Sequence, residues 1–279
     1  YLHEQARDLC TLAAVVSQPD RRQGRGKKLQ QNSVAEFASS KGIPVLQPEK
    51  PNAALADWLC AQKVALAFVM AYGHFLPKAV REAPKHGMLN FHASILPAYR
   101  GASPVEAAIA LGEAETGVSL MQVVKEMDAG AVADCKRVFI ENVDTSPTVR
   151  SKVGQAVITL LERNLKASLL GALTLLPQNA SLATQCRKIR KEDGALDFAQ
   201  PAASIDARLR AFTPWPGGYF DHGETRIKVG KCSLAEPITS AQPGSVIVAG
   251  EILDVATGMG LLRIHELQRP GGRMLPVSD

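Results

Sequence analysis

Three polar residues in this chain have types and spacing suited to chemistry: Asn90, His92 two residues on, and Asp128 from a later segment. The stretch Leu89-Asn90-Phe91-His92 alternates apolar and polar residues. On a β-strand, side chains two apart share a face, so the amide and the imidazole stand side by side at a strand end. An amide donor, a titratable ring and a carboxylate to orient it suit acyl transfer, in which a tetrahedral oxyanion must be stabilised and a proton moved. Taken alone, Asn-x-His is more often a hydrogen-bonded structural pair, and Asp128-Ala129-Gly130 is ordinary turn chemistry.

The elements that must position these residues are legible as an alternation. Continuous apolar or β-branched runs predict strands at Thr11–Ser17, Ile43–Leu46, Lys63–Met70, Met88–His92, Val118–Val124 and Val132–Ile140. Between them, helices are expected at Leu2–Leu9, Asn32–Ser40, Asn52–Gln62, Lys78–Ala83 and Ser103–Leu111, then a long one over about Ser146–Leu170. Asn32 or Ser33 would cap the second of these, with Glu36 in capping-box position from Ser33. Pro104 takes the favoured first position of its helix. This βα alternation implies an open, mostly parallel Rossmann-like sheet, in which ligands bind beyond the C-terminal strand ends. Met70-Ala71-Tyr72-Gly73 and His92-Ala93-Ser94 lie at two such ends, and His74 can border them. Beyond the connector Pro177-Gln178-Asn179, short runs at Thr225–Leu234, Gly244–Val248, Ile252–Val255 and Gly260–Leu267 predict a small β-barrel, with one helix at Ala202–Ala211.

Composition narrows the function classes. The chain has 279 residues, 46% of them hydrophobic, enough for a packed core. A net charge of +5 favours polyanionic partners. Five scattered cysteines with no Cys-x-x-Cys argue against a disulfide framework or a zinc site, and predict reduced thiols in a cytoplasmic protein. The apolar runs are too short to span a bilayer. The cluster Arg21, Arg22, Arg25, Lys27 and Lys28 interleaves cations with Gly24 and Gly26, which suits phosphates as well as a solvated surface.

The ordered set of motifs resembles the methionyl-tRNA formyltransferase family of the formyltransferase superfamily. It runs through Ser17-Gln18-Pro19-Asp20, the basic loop Arg21–Lys28, Met70-Ala71-Tyr72-Gly73, Asn90-Phe91-His92-Ala93-Ser94-Ile95-Leu96-Pro97 and Arg100-Gly101-Ala102-Ser103-Pro104. It continues through Glu115-Thr116-Gly117-Val118, Met127-Asp128-Ala129-Gly130, Lys188-Ile189-Arg190-Lys191-Glu192-Asp193-Gly194 and Arg210-Ala211-Phe212-Thr213-Pro214-Trp215-Pro216-Gly217. The resemblance implies formyl transfer from 10-formyltetrahydrofolate to the α-amino group of methionine on initiator tRNA, with no metal. It implies catalytic roles for Asn90, His92 and Asp128. The folate would be held by Met70, Ala71, Tyr72, Gly73, Ser94, Ile95, Leu96 and Pro97, with Ile95 replacing the family's usual leucine. Arg21, Arg22, Arg25, Lys27, Lys28, Lys188, Arg190 and Lys191 would meet the tRNA. The implied domains are a catalytic domain at 1–176, a linker at 177–187 and an OB-like barrel at 188–279. A monomer is favoured, and no membrane is expected as a partner.

Family members begin earlier, with a strand and a glycine-containing turn, so a natural protein longer at both ends is expected. Two other readings share the same residues: a sugar-nucleotide N-formyltransferase using the same folate, and a formyltetrahydrofolate-binding protein without transferase activity. The basic glycine loop and the C-terminal motifs argue for tRNA.

Overall fold

In the computed structural model the described residues are 1–23, 28–236 and 240–279. Strands β1 (Val15–Val16), β2 (Arg21–Gln23) and β3 (Lys28–Gln30) precede helix α1 (Ser33–Ser40), β4 (Val45–Leu46), α2 (Ala53–Ala61), β5 (Ala67–Val69), α3 (Lys78–Glu82) and β6 (Met88–His92). Then come β7 (Arg100–Gly101), α4 (Pro104–Ala110), β8 (Glu115–Gln122), β9 (Val132–Phe139) and α5 (Ser146–Leu169). The last stretch holds β10 (Gln185–Cys186), α6 (Ala202–Phe212), β11 (Gly218–His222), β12 (Thr225–Ala235), β13 (Val246–Val248), β14 (Leu253–Ala256), β15 (Leu261–Gln268) and β16 (Leu275–Pro276). The chain divides into two units: Tyr1–His92, Val118–Lys136 and Ala156–Leu182 form one, and Ala93–Gly117, Arg137–Gln155 and Ala183–Asp279 the other.

The first unit is built on the strand order β5-β6-β8-β9. β5 runs parallel to β6, with Val69 opposite Asn90; β8 runs antiparallel to it, with Met121 opposite Asn90 and Ser119 opposite His92. β1 and β4 form a separate parallel pair. Side-chain alternation divides the labour of β6. Leu89 and Phe91 point one way, where Phe91 stacks on Phe68 with ring centroids 5.4 Å apart. Met88, on the opposite face, packs into a core with Leu55, Leu59 and Val80. Asn90 and His92 continue that second face at the strand's C-terminal end.

In the second unit, a six-stranded antiparallel sheet follows the order β11-β12-β15-β14-β13, with β16 paired to β15. β12 changes register against β15 between Val229 and Cys232, the kind of irregularity that bends a sheet. Helix α6 lays Ala202, Ile205 and Leu209 against Val229, Leu262 and Ile264. The α/β expectation with a following antiparallel barrel holds, and the first sheet is mixed: β6 has a parallel neighbour on one side and an antiparallel one on the other.

Several local expectations are corrected. Leu2–Leu9 forms turns rather than a helix; its (i, i+4) bonds, such as Gln5 N–H to the Tyr1 carbonyl, stay isolated, and Ala6 is its one buried anchor. So short a segment does not overcome the cost of helix nucleation without a packed face. The predicted strand Thr11–Ser17 shrinks to β1, and Lys63–Met70 to β5. Asn32 caps α1 by accepting from Ala35 N–H, so the capping box from Ser33 to Glu36 does not form. The basic loop is flanked by a hairpin, with Arg21 opposite Gln30. β11 had no strand signal recognised in the sequence.

Candidate active site

β6 delivers the first two candidate residues and the β8–β9 connection the third. His92 is 6% exposed, and its Nδ1 lies 3.6 Å from Asp128 Oδ2, whose side chain is 16% exposed. That separation is beyond a direct hydrogen bond for this atom pair, and it sets the carboxylate beside the buried ring. Asn90 is half-buried on the same strand face. Within one unit, the structure therefore brings an amide, an imidazole and a carboxylate to one strand end.

The loop carrying Asp128 is held against the sheet. Asp128 itself has φ 51°, the left-handed region that an aspartate tolerates better than most residues. Gly130 passes so close to β8 that a Cβ there would sit 1.8 Å from the Gln122 carbonyl oxygen. Gln122 N–H meanwhile donates to the Ala131 carbonyl at 2.9 Å.

A second loop leaves β5 beside Asn90. Its Ala71 and Gly73 have φ 48° and 76°. Gln18 reaches into it, donating from Nε2 to the Tyr72 carbonyl at 2.8 Å, and a Cβ on Gly73 would lie 2.8 Å from that nitrogen. The other end of the same amide, Gln18 Oε1, accepts from the Arg21 guanidinium at 2.7 Å. Asn32 and Gln47 fix the Gln18 backbone by donating to its carbonyl at 2.8 and 3.0 Å. The rings of Tyr72 and His74 meet edge to face, with centroids 5.4 Å apart. Among the described residues, Tyr72 OH and His74 Nε2 are buried polar atoms with no hydrogen-bond partner. Burial pushes the Tyr72 phenol up from its ordinary value, so it stays a hydrogen-bond donor.

The remaining candidates are dispersed. Ser94, Ile95, Leu96 and Pro97 open the second unit, where the Ser94 hydroxyl donates to the Ala98 carbonyl at 2.6 Å and the Leu96–Pro97 bond is cis. Lys188, Arg190 and Lys191 are exposed in that unit. Their neighbour Arg187 is committed to a bidentate pair with Asp193, and Arg190 N–H donates to the same carboxylate at 2.7 Å. That pairing with Arg187 holds the Asp193 carboxyl below its usual value. Arg21 is exposed at the start of β2. Arg25 and Lys27 lie outside the described residues, and Arg22 and Lys28 are placed only as backbone of β2 and β3. Sequence reasoning did not find Gln178, which donates from Nε2 to the carbonyls of Asp128 and Gly130 at 2.8 and 2.7 Å. Among the described residues, no group of three or more His, Cys, Asp or Glu is arranged for a metal ion, and no helix is long and apolar enough to cross a membrane.

A family model described as formyl transferase matches residues 2–165, and one described as formyl transferase, C-terminal domain, matches residues 188–279. A methionyl-tRNA formyltransferase of Marinobacter nauticus is 38% identical over 275 residues, 96% of this chain and 87% of that protein. The chain belongs to the methionyl-tRNA formyltransferase family. Another methionyl-tRNA formyltransferase, from Myxococcus xanthus, is 39% identical over 274 residues, 98% of this chain and 87% of its own length. The family resemblance read from the motifs is therefore correct. Among solved structures, the sugar 3N-formyl transferase WlaRD superposes with a TM-score of 0.67 at 15% identity, covering 95% of this chain and all of that one. HypX from Aquifex aeolicus, solved with tetrahydrofolic acid, gives 0.66 at 17% identity; the match covers 96% of this chain and 46% of HypX. At such identities these two show that the formyltransferase fold is shared.

Proposed function

We propose that this protein transfers the formyl group of 10-formyltetrahydrofolate to the α-amino group of methionine on initiator tRNA. Membership of the family supports the reaction. The observation that carries the site is the convergence of Asn90, His92 and Asp128 at the C-terminal end of β6, with Asp128 facing the buried ring.

The amine attacks the formyl carbon and the carbonyl oxygen becomes an oxyanion. Asn90 donates from its amide and His92 from a ring N–H; together they stabilise the charge as it develops. Asp128 receives the proton that the attacking amine gives up, directly or through water. N10 gains a proton as its bond to the formyl carbon breaks, so tetrahydrofolate leaves and no net proton is released. We assign Met70–Gly73 and Ser94–Pro97 to holding the folate. Arg21, Arg22, Arg25, Lys27, Lys28, Lys188, Arg190 and Lys191 meet tRNA phosphates. In this reading residues 1–176 carry the chemistry, 177–187 link, and the barrel at 188–279 adds to RNA binding. The cytoplasm is the compartment that supplies charged initiator tRNA and keeps the five free cysteines reduced.

The test is formyl transfer from 10-formyltetrahydrofolate to Met-charged initiator tRNA, with a UDP-amino-sugar as competing acceptor. Formyl-methionyl-tRNA as the product is expected. Transfer to the sugar alone would retain the trio and overturn the tRNA assignment.

A further inference from the structure

The connector after α5 reaches back to the Asp128 loop. Val132 and Leu176 exchange backbone hydrogen bonds, both 2.9 Å, in an antiparallel bridge. Two residues on from Leu176 and two back from Val132, that antiparallel register sets Gln178 opposite Gly130. Gln178 bonds there with its side chain: one amide nitrogen donates both its hydrogens, to the Asp128 carbonyl at 2.8 Å and the Gly130 carbonyl at 2.7 Å. The two carbonyls flank Ala129, so a single amide spans the turn that Asp128 enters at φ 51°. Aspartate tolerates the left-handed region, but holding its carboxylate in one direction there needs the turn to be fixed by its surroundings. Here the surroundings are the Gly130–Gln122 approach on one side and the Gln178 amide on the other.

We infer that Gln178 is a positioning residue for the reaction: it acts through the backbone of Asp128, holding that carboxylate toward His92 Nδ1. This rests on the catalytic reading of Asp128. In that reading Gln178 acts on the backbone of the Asp128 turn and not on the reacting atoms. Its effect is to fix where one carboxylate points, and a displacement of about 1 Å in a reacting constellation can cost roughly a hundredfold in rate.

Gln178→Met keeps the chain length and removes both donors without adding charge. The experiment measures single-turnover formyl transfer, KM for both substrates and the melting temperature. It does so for four proteins: wild type, Gln178→Met, Asp128→Ala and the double variant. If Gln178 acts through Asp128, Gln178→Met lowers kcat roughly ten- to hundredfold with KM for tRNA unchanged. In the Asp128→Ala background the same change is then silent, because the group it positions is gone. An equal fractional loss in both backgrounds, tracking the melting temperature, would assign Gln178 a merely structural role and overturn the inference. So would wild-type kcat in Gln178→Met beside an impaired Asp128→Ala. Wild-type turnover in Asp128→Ala itself would instead remove the catalytic reading, and this inference with it.

Discussion

At the scale of single residues, the proposed chemistry rests on a buried His92 ring with the half-buried Asp128 carboxylate beside it. Replacing Asn90 or His92 by alanine should cost about 2.7–4 kcal/mol of transition-state stabilisation, roughly a hundred- to thousandfold in kcat, the usual loss for an oxyanion donor. A circular-dichroism melt should show both variants folded, and a steady-state assay checks the rate. Gly130 makes a different demand. Because a Cβ there would collide with the Gln122 carbonyl, Gly130→Ala must push the Asp128 loop off β8. We expect a loss of about 1–3 kcal/mol in a urea titration, as for other overpacked sites, together with a fall in turnover. The Asn90–His92 pair could be read in the sequence because a strand's period of two is written in apolar and polar letters. Gln178 could not. Its role is a hydrogen bond spanning 50 positions, made by a side chain inside a stretch that looks like any Pro-Gln-Asn connector.

At the scale of elements, what was legible is what periodicity encodes. Met88–His92 appears with the predicted bounds, since it is buried between two strand neighbours and its sequence has no competing signal. The expected strands overextend β1 and β5 because apolar and β-branched letters continue past the ladder, where Thr11, Ala13 and Met70 are exposed rather than paired. β11 carries no alternating pattern of its own; tertiary pairing forms it, with β12 from Gly218 opposite Val229 to His222 opposite Thr225, and with Ala195 at Tyr219. Across β14 and β15, Asp254 stands opposite Arg263, which donates to its carboxylate at 2.7 and 2.8 Å. That guanidinium holds the buried carboxyl below its ordinary value. The unfolded chain therefore binds a proton more readily than the folded one. Stability from the pair is present above the unfolded aspartate value of about 4 and is lost as pH falls through the lower folded value. Asp254→Asn should flatten that acid limb. Urea midpoints of the wild type and the variant, compared from neutral pH down to below the carboxylate range, check it.

At the scale of the whole molecule, the +5 net charge is concentrated in part at Arg21–Lys28, a stretch the sequence marked by composition alone. Composition reveals charge and turn-forming glycine, but not that Arg21–Gln23 and Lys28–Gln30 pair as a hairpin. Neutralising Arg25, Lys27 and Lys28 should weaken tRNA binding and lower the slope of log K against log salt by up to about 0.7–0.9 for each phosphate the protein no longer neutralises. Filter binding over a salt series measures this; an unchanged slope would return the stretch to ordinary surface.

The Gln18 amide has two ends, one on the Tyr72 carbonyl and the other on Arg21. An amide cannot turn one end without turning the other. If, as proposed, Arg21 meets a tRNA phosphate and the Tyr72 loop meets folate, exchange of Gln18 Oε1 for that phosphate would change the restraint on the loop as well. The two substrates would then share a coupling free energy, which thermodynamic linkage makes reciprocal: tRNA would alter folate affinity by the same factor that folate alters tRNA affinity. Calorimetric titration of tRNA with and without a non-transferable folate should give two different Kd values for the wild type, converging to one in Gln18→Leu. The order in which the substrates arrive would then leave the ternary complex equally stable, while each arrival resets the hold on the next.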